Sequence, residues 1–201
     1  MFITFEGGDG AGKTTQIELL KAALEKEGRS VVVTREPGGN AVAEKIRELL
    51  LDRASVMEDM TEADLYAAVT KPLGKVILPA LARGQVVLCD RFIDSSVAYQ
   101  GYGRQIGAER VEALNREAVD GCMPERTYLL TLSEQDAAQR VKNRGEVDRI
   151  ESAGEAFARR VQEGFLRIAA EHPERVVVID AGRPAEEIAR DIAEDVAKLK
   201  T

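Results

Sequence analysis

Histidine is almost missing from this chain. Its single copy, His172, sits in the stretch EHPE between a helical and a strand pattern, where a solvated turn residue is expected. A histidine-based triad and a zinc centre are thereby excluded. Cysteine is scarce as well. Cys89 and Cys122 are the only two, they lack metal-ligand spacing, and they read as reduced core thiols of a cytoplasmic protein. No apolar run approaches the roughly 20 residues that span a membrane. An apolar strand pattern begins at Phe2, so no signal peptide is expected. Positive charge is outnumbered, with 28 Lys and Arg against 35 Asp and Glu and a net charge of −7. That argues against a nucleic-acid surface, which needs a basic patch, but not against a small anion held by local cations.

What is present is an alternation. Phe2–Phe5, Ser30–Thr34, Val86–Asp90, Thr127–Leu132 and Val176–Asp180 read as strands, several of them continuous apolar runs such as VVVT and VVVID. Such runs suit parallel strands buried on both faces. Helical patterns lie near 14–27, 41–52, 62–83, 107–119, 134–143, 152–171 and 184–199. A βα repeat of this kind builds an α/β sandwich around a parallel sheet. The 201 residues suit one domain, and neither a repeat nor a linker interrupts them. Ligands of such sheets bind beyond the carboxyl ends of the strands, so the residues after each strand carry the functional reading.

After the first strand comes GGDGAGKTT. Gly7 to Thr14 fits G-x-x-x-x-G-K-[ST], a phosphate-binding P-loop between a strand and a helix. Glycines let successive N–H groups wrap an anion, and the following helix adds its N-terminal dipole. The loop comprises Gly7, Gly8, Asp9, Gly10, Ala11, Gly12, Lys13, Thr14 and Thr15. Lys13 is expected on the β- and γ-phosphates of ATP, and the Thr14 hydroxyl on Mg²⁺.

After the second strand, TREPGGN places Arg35, Glu36 and Pro37 at the sheet end. After the third, Asp90 ends an apolar run as a Mg²⁺-holding carboxylate would. Arg91 follows, a guanidinium fork suited to phosphate. Ser96, Tyr99 and Gln100 stand at helical spacing and are expected to line one pocket, with Gln100 able to read a base edge. After the fourth, Arg140, Lys142, Arg144 and Arg149 fall within ten residues around Gly145. An ordinary solvated helix face would look alike. Phosphoryl transfer between two anions, however, needs cations around the moving group, and the P-loop supplies only Lys13. The basic stretch therefore reads as a lid over about 140–151.

FEGGDGAGKTTQ, TREPGG, AEKIRELLL, DRFIDSSVAYQGYGR and RGEVDRIE together resemble the bacterial thymidylate kinases, nearly end to end. The resemblance implies a P-loop NTPase architecture, a three-layer sandwich with a five-stranded parallel sheet, in a cytoplasmic homodimer. It implies transfer of the γ-phosphate of ATP to dTMP, giving dTDP for dTTP synthesis. Lys13, Arg91, Arg144 and Arg149 are then the catalytic candidates, with Arg140 beside the ATP. Thr14, Asp9 and Asp90 would serve Mg²⁺. Arg35, Glu36, Pro37, Arg47, Tyr66, Arg91, Ser96, Tyr99 and Gln100 would surround dTMP, Tyr99 crowding the place of a ribose 2′-hydroxyl. The small molecules ATP and dTMP are the implied partners, without nucleic acid or membrane.

One segment departs from the family pattern of an aromatic residue followed four positions later by a base-reading arginine. ADLYAAVTKPLGK puts Thr70 four after Tyr66, or Val69 if the register is counted back from Pro79. Pro72 also falls inside the helical pattern, where it favours a kink. The alternative reading is a nucleoside monophosphate kinase with relaxed base preference, or a catalytically weak nucleotide-binding homologue.

Overall fold

The apolar runs become five parallel strands in the order β2-β3-β1-β4-β5. The computed structural model describes residues 1–119, 121–133, 136 and 148–199. In chain order it has β1 (Phe2–Glu6), α1 (Lys13–Lys26), β2 (Val31–Arg35), α2 (Ala41–Leu51), α3 (Asp59–Ala82), β3 (Val86–Asp90) and α4 (Ile93–Ser96). A π-helical turn, Val97–Gly103, continues α4, followed by α5 (Ala108–Val119) and β4 (Arg126–Thr131). A 3₁₀ turn (Glu151–Ala153), α6 (Glu155–Glu171), β5 (Val176–Asp180) and α7 (Ala185–Leu199) complete it. The expected α/β sandwich with a five-stranded parallel sheet is therefore what the chain forms. The helix expected over 134–143 lies, but for one residue, outside the described residues.

Alternation along the strands sorts the core into two layers. Ile3, Phe5, Leu88, Tyr128 and Leu130 pack with Leu20 and Leu24 of α1 and Ile188 and Ile192 of α7. On the opposite face Phe2, Val87 and Cys89 meet Leu73 and Ile77 of α3, while Leu129 and Val176 meet Val161, Phe165 and Ile168 of α6. Truncating such a fully buried leucine costs about 2–5 kcal/mol. Cys89 and Cys122 are free, buried, and members of the same cluster.

One expectation about α3 is corrected. By length and composition it is apolar enough to cross a membrane, although no such stretch is evident from the sequence. Here it is a core helix: Val69, Leu73 and Ile77 are fully buried against the sheet. Pro72 lies inside it, as expected, and α3 runs unbroken through both Pro72 and Pro79. A proline deletes one backbone hydrogen bond, and tertiary burial of the apolar face outweighs that loss.

The layers position the site. α1, which follows β1, lies on one face, and α4, which follows β3, leads to the other. β1 and β3 are neighbours with Phe5 opposite Asp90. Their carboxyl ends thus flank a crevice at a topological switch point, the usual place for a ligand in such sheets.

Candidate functional site

Backbone conformation explains the spelling of the P-loop. Gly7 has φ 129°, and a Cβ there would overlap the carbonyl oxygen of Leu130, so the loop crosses β4 where only glycine fits. Gly12, at φ 90°, opens α1 with no side chain capping it. The first N–H groups of the helix are thus left for an anion. Lys13 Nζ donates to Gly7 O at 3.1 Å and Gly8 O at 3.0 Å, curling over the loop. Burial chiefly, with Arg91 adding repulsion, draws its ammonium down to about 8.

Thr14 Oγ1 donates to Asp90 Oδ2 at 3.3 Å, which joins α1 to the end of β3. Two hard oxygen donors side by side fit Mg²⁺, which keeps several waters and takes the rest of its ligands from substrate phosphates. No group of three or more His, Cys, Asp or Glu able to hold a metal occurs among the described residues. Asp9, the third expected ligand, holds Arg91 Nη2 at 3.0 Å.

Arg91 is the hinge of the site. It has φ 65°, a left-handed conformation that costs a non-glycine residue about 1–2 kcal/mol and persists only where its surroundings enforce it. Its N–H donates to Phe5 O at 2.9 Å. Nη1 donates to Ser95 Oγ at 3.1 Å, and the guanidinium lies 5.1 Å from the centre of the Tyr99 ring. Ser95 in turn donates to Glu6 Oε2 at 2.5 Å, and Phe92 N to Glu6 Oε1 at 2.8 Å. Burial, then the nearby Asp94, pushes the Glu6 carboxyl up to about 8. Glu6 and Ser95 were not singled out from sequence. The available sign was a carboxylate closing an apolar strand beside the P-loop.

Beside Arg91 opens a partly open cavity. Eight of the expected acceptor residues line it: Glu36, Pro37, Arg47, Tyr66, Arg91, Ser96, Tyr99 and Gln100, together with Asp9. Ser95 and Asp148 line it too, and neither was expected. Arg35 does not; it is half-exposed and pairs with Glu44 at 2.8 Å. Arg47 Nη1 donates to Pro37 O at 2.8 Å. Burial raises the Tyr66 and Tyr99 phenols above their ordinary value, so both stay neutral.

Ser96, Tyr99 and Gln100 reach one cavity, as residues three and four apart on one helix face do, and the helix widens just beyond them. Arg104 N donates to Tyr99 O at 2.9 Å, five residues back, and such π turns concentrate at functional sites. Thr70, not Val69, faces this side. Thr70 Oγ1 donates to Glu36 Oε1 at 2.8 Å, while Val69 is in the core. Burial pushes Glu36 up to about 8, with the Thr70 bond opposing in part.

Behind the cavity, Glu62 of α3 is 1% exposed. It accepts from Gln100 Nε2 at 2.9 Å and from Arg104 Nε and Nη2 at 3.1 and 3.0 Å. Arg149 Nη2 lies 2.7 Å from it, and Arg149 Nε donates to Leu50 O at 2.8 Å. Arg149, expected in the lid, is thus engaged on the acceptor side. Arg140, Lys142, Arg144 and Gly145 lie outside the described residues.

A model of the family described as thymidylate kinase matches residues 5–192. The thymidylate kinase of Exiguobacterium sibiricum is 46% identical over 197 residues, 97% of this chain and 93% of its own length. That of Clavibacter michiganensis is 49% identical over 196 residues, 96% of this chain and 92% of its own. The crystal structure of thymidylate kinase from Ehrlichia chaffeensis superposes with a TM-score of 0.78 at 34% identity, covering 98% of each chain.

Proposed function

The chain belongs to the thymidylate kinase family, an ATP-dependent kinase of dTMP that yields dTDP, and from that premise we propose how its own residues carry out the transfer. The P-loop backbone and Lys13 hold the donor phosphates, and Arg91 grips the transferring group. The acceptor lies in the cavity, with Tyr66 on the base, Ser96 and Gln100 on its edge, Tyr99 at the sugar, and Arg47 with Glu36 towards the phosphate. Thr14 and Asp90, aided by Asp9, would hold Mg²⁺, which when bound neutralises charge between the β- and γ-phosphates. No general base is needed, because a phosphate acceptor is already anionic. Arg140 and Arg144 supply the remaining cations from the lid, since Arg149 is committed to Glu62 and Leu50. The enzyme works as a cytoplasmic homodimer.

The observation that carries this reading is the place of Arg91. It touches Asp9 of the P-loop at 3.0 Å and lines the acceptor cavity, so donor and acceptor phosphates meet at one guanidinium. The test is ADP release from ATP and Mg²⁺ with dTMP, dUMP, dCMP, ribose-TMP, AMP and GMP. Dominant turnover of dTMP is expected.

A second reading has one observation in its favour. Thr70 stands where the family pattern has an arginine, and its hydroxyl is spent on Glu36. Losing a bidentate base contact costs roughly 1–3 kcal/mol, enough to relax base preference. Comparable turnover across the panel would favour that reading. Thermal protection by dTMP without ADP release would favour a nucleotide-binding homologue.

A further inference from the structure

Three buried polar atoms on residues lining the acceptor cavity have no hydrogen-bond partner among the described residues: Gln100 Oε1, Ser96 Oγ and Glu36 Oε2. Unpaired buried polar atoms are destabilising, so their gathering at one cavity points to an occupant that pairs them. Gln100 is the most informative of the three. An amide carries a donor and an acceptor end, and which end faces a ligand is set by what holds the other.

We propose that Glu62 is a positioning residue that fixes the Gln100 amide so that only its oxygen faces the acceptor base, making the site selective for a base with a ring N–H.

Glu62 carries Arg104 and Arg149 at 3.0 and 2.7 Å. Burial would raise its carboxyl, but hydrogen bonds from Arg104 first, then Gln100, hold it below its ordinary value. It is ionised, and an ionised carboxylate is acceptor-only. Gln100 must therefore turn Nε2 towards it, as found at 2.9 Å, and Oε1 is left for the cavity. Thymine and uracil offer an N3–H to that oxygen. Cytosine presents a lone pair at N3 and leaves Oε1 unpaired. Discrimination is thus set one residue behind the contact, through a carboxylate on α3 that never touches the nucleotide. The inference rests on the acceptor cavity being the dTMP site.

The test sets two variants against each other, read by kcat/KM and by calorimetric binding of dTMP and dCMP. Glu62→Gln keeps the shape but can donate as well as accept, so Gln100 is free to flip and present its NH₂ to cytosine N3. Glu62→Asp loses a methylene but stays acceptor-only. The expected result is that Gln narrows the dTMP-over-dCMP ratio by roughly 10–100-fold, the weight of a base contact. Asp keeps the ratio, and KM for ATP is unchanged in both. A purely packing role leaves the ratio intact in both variants, and that result overturns the proposal. Should Glu62→Gln not fold, the wild-type enzyme with N3-methyl-dTMP decides: rejection on the scale of dCMP is expected, and acceptance like dTMP overturns it. If wild type binds dTMP over dCMP without ADP release, the kinase reading fails while this inference stands.

Discussion

At the scale of single residues, the chemistry concentrates on charges that the fold has made awkward. Lys13 is buried, and its ammonium is drawn down to about 8, so it is held for a ligand rather than for stability. Lys13→Ala is expected to abolish ADP release while leaving the melting temperature equal or higher, measured by circular dichroism. Retained turnover would overturn the P-loop assignment. Glu62 is the opposite case. Its carboxyl lies below its ordinary value, with Arg104 and Arg149 outweighing burial. A depressed carboxylate gives stability that is present above its unfolded pKa and lost as pH falls through the folded one. Glu62→Gln should therefore destabilise at neutral pH, by about 3–5 kcal/mol for a broken buried pair, and show a flatter acid limb below about pH 4.5. Melting temperature against pH for both proteins checks this; parallel curves would remove Glu62 from the acid response. The residues proposed to touch ligand were legible in the sequence because phosphate and base chemistry dictates their types. Ser95 and Glu62 were not, because a hydroxyl or a carboxylate inside a helix has no spelling of its own, and Glu6 carried only the weak sign of a carboxylate at a strand end. What marks them is burial, a tertiary fact.

At the scale of elements, strand positions were legible because continuous apolar runs have few alternatives in an α/β chain. Their ends were less so: β1 reaches Glu6, and β2 and β4 are each shifted by one residue from the expected bounds. The stretch 93–103 was read for its contacts but not among the expected helices. A π turn shifts the face by one residue, and no periodicity of 3.6 reports that. Helix α3 shows how packing overrides local preference. It keeps helical form across Pro72 because Val69, Leu73 and Ile77 are fully buried. Leu73→Ala should cost about 2–5 kcal/mol in chemical denaturation, far more than a typical proline kink site would allow if the helix were marginal. A loss below about 1 kcal/mol would mean that α3 is not held by its core face. Thr70→Val removes the donor to Glu36 Oε1 and is expected to cost about 1–3 kcal/mol with the helix content unchanged.

At the scale of the molecule, the strand order brings together segments far apart in the chain. With β1 between β3 and β4, the P-loop and the Asp90–Arg91 turn face each other, and α3 closes the acceptor side from below. The same helix also has an outer face. Leu78 of α3 is 46% exposed, and Val42 and Leu49 of α2 are 61% and 54% exposed. An exposed leucine on α3 beside two exposed aliphatic side chains on α2 is a surface that a second copy could cover symmetrically. The proposed homodimer is therefore expected to use α3. Leu78→Lys puts a charge into that face without touching Leu73 or Ile77, which pack inward. Sedimentation velocity should show wild type as a dimer and the variant shifted towards monomer, with its melting temperature made concentration-dependent. A variant that stays dimeric would place the interface elsewhere. Because α3 also carries Tyr66, Thr70 and Glu62, loosening its outer face should raise KM for dTMP more than KM for ATP, whose P-loop hangs from β1 and α1.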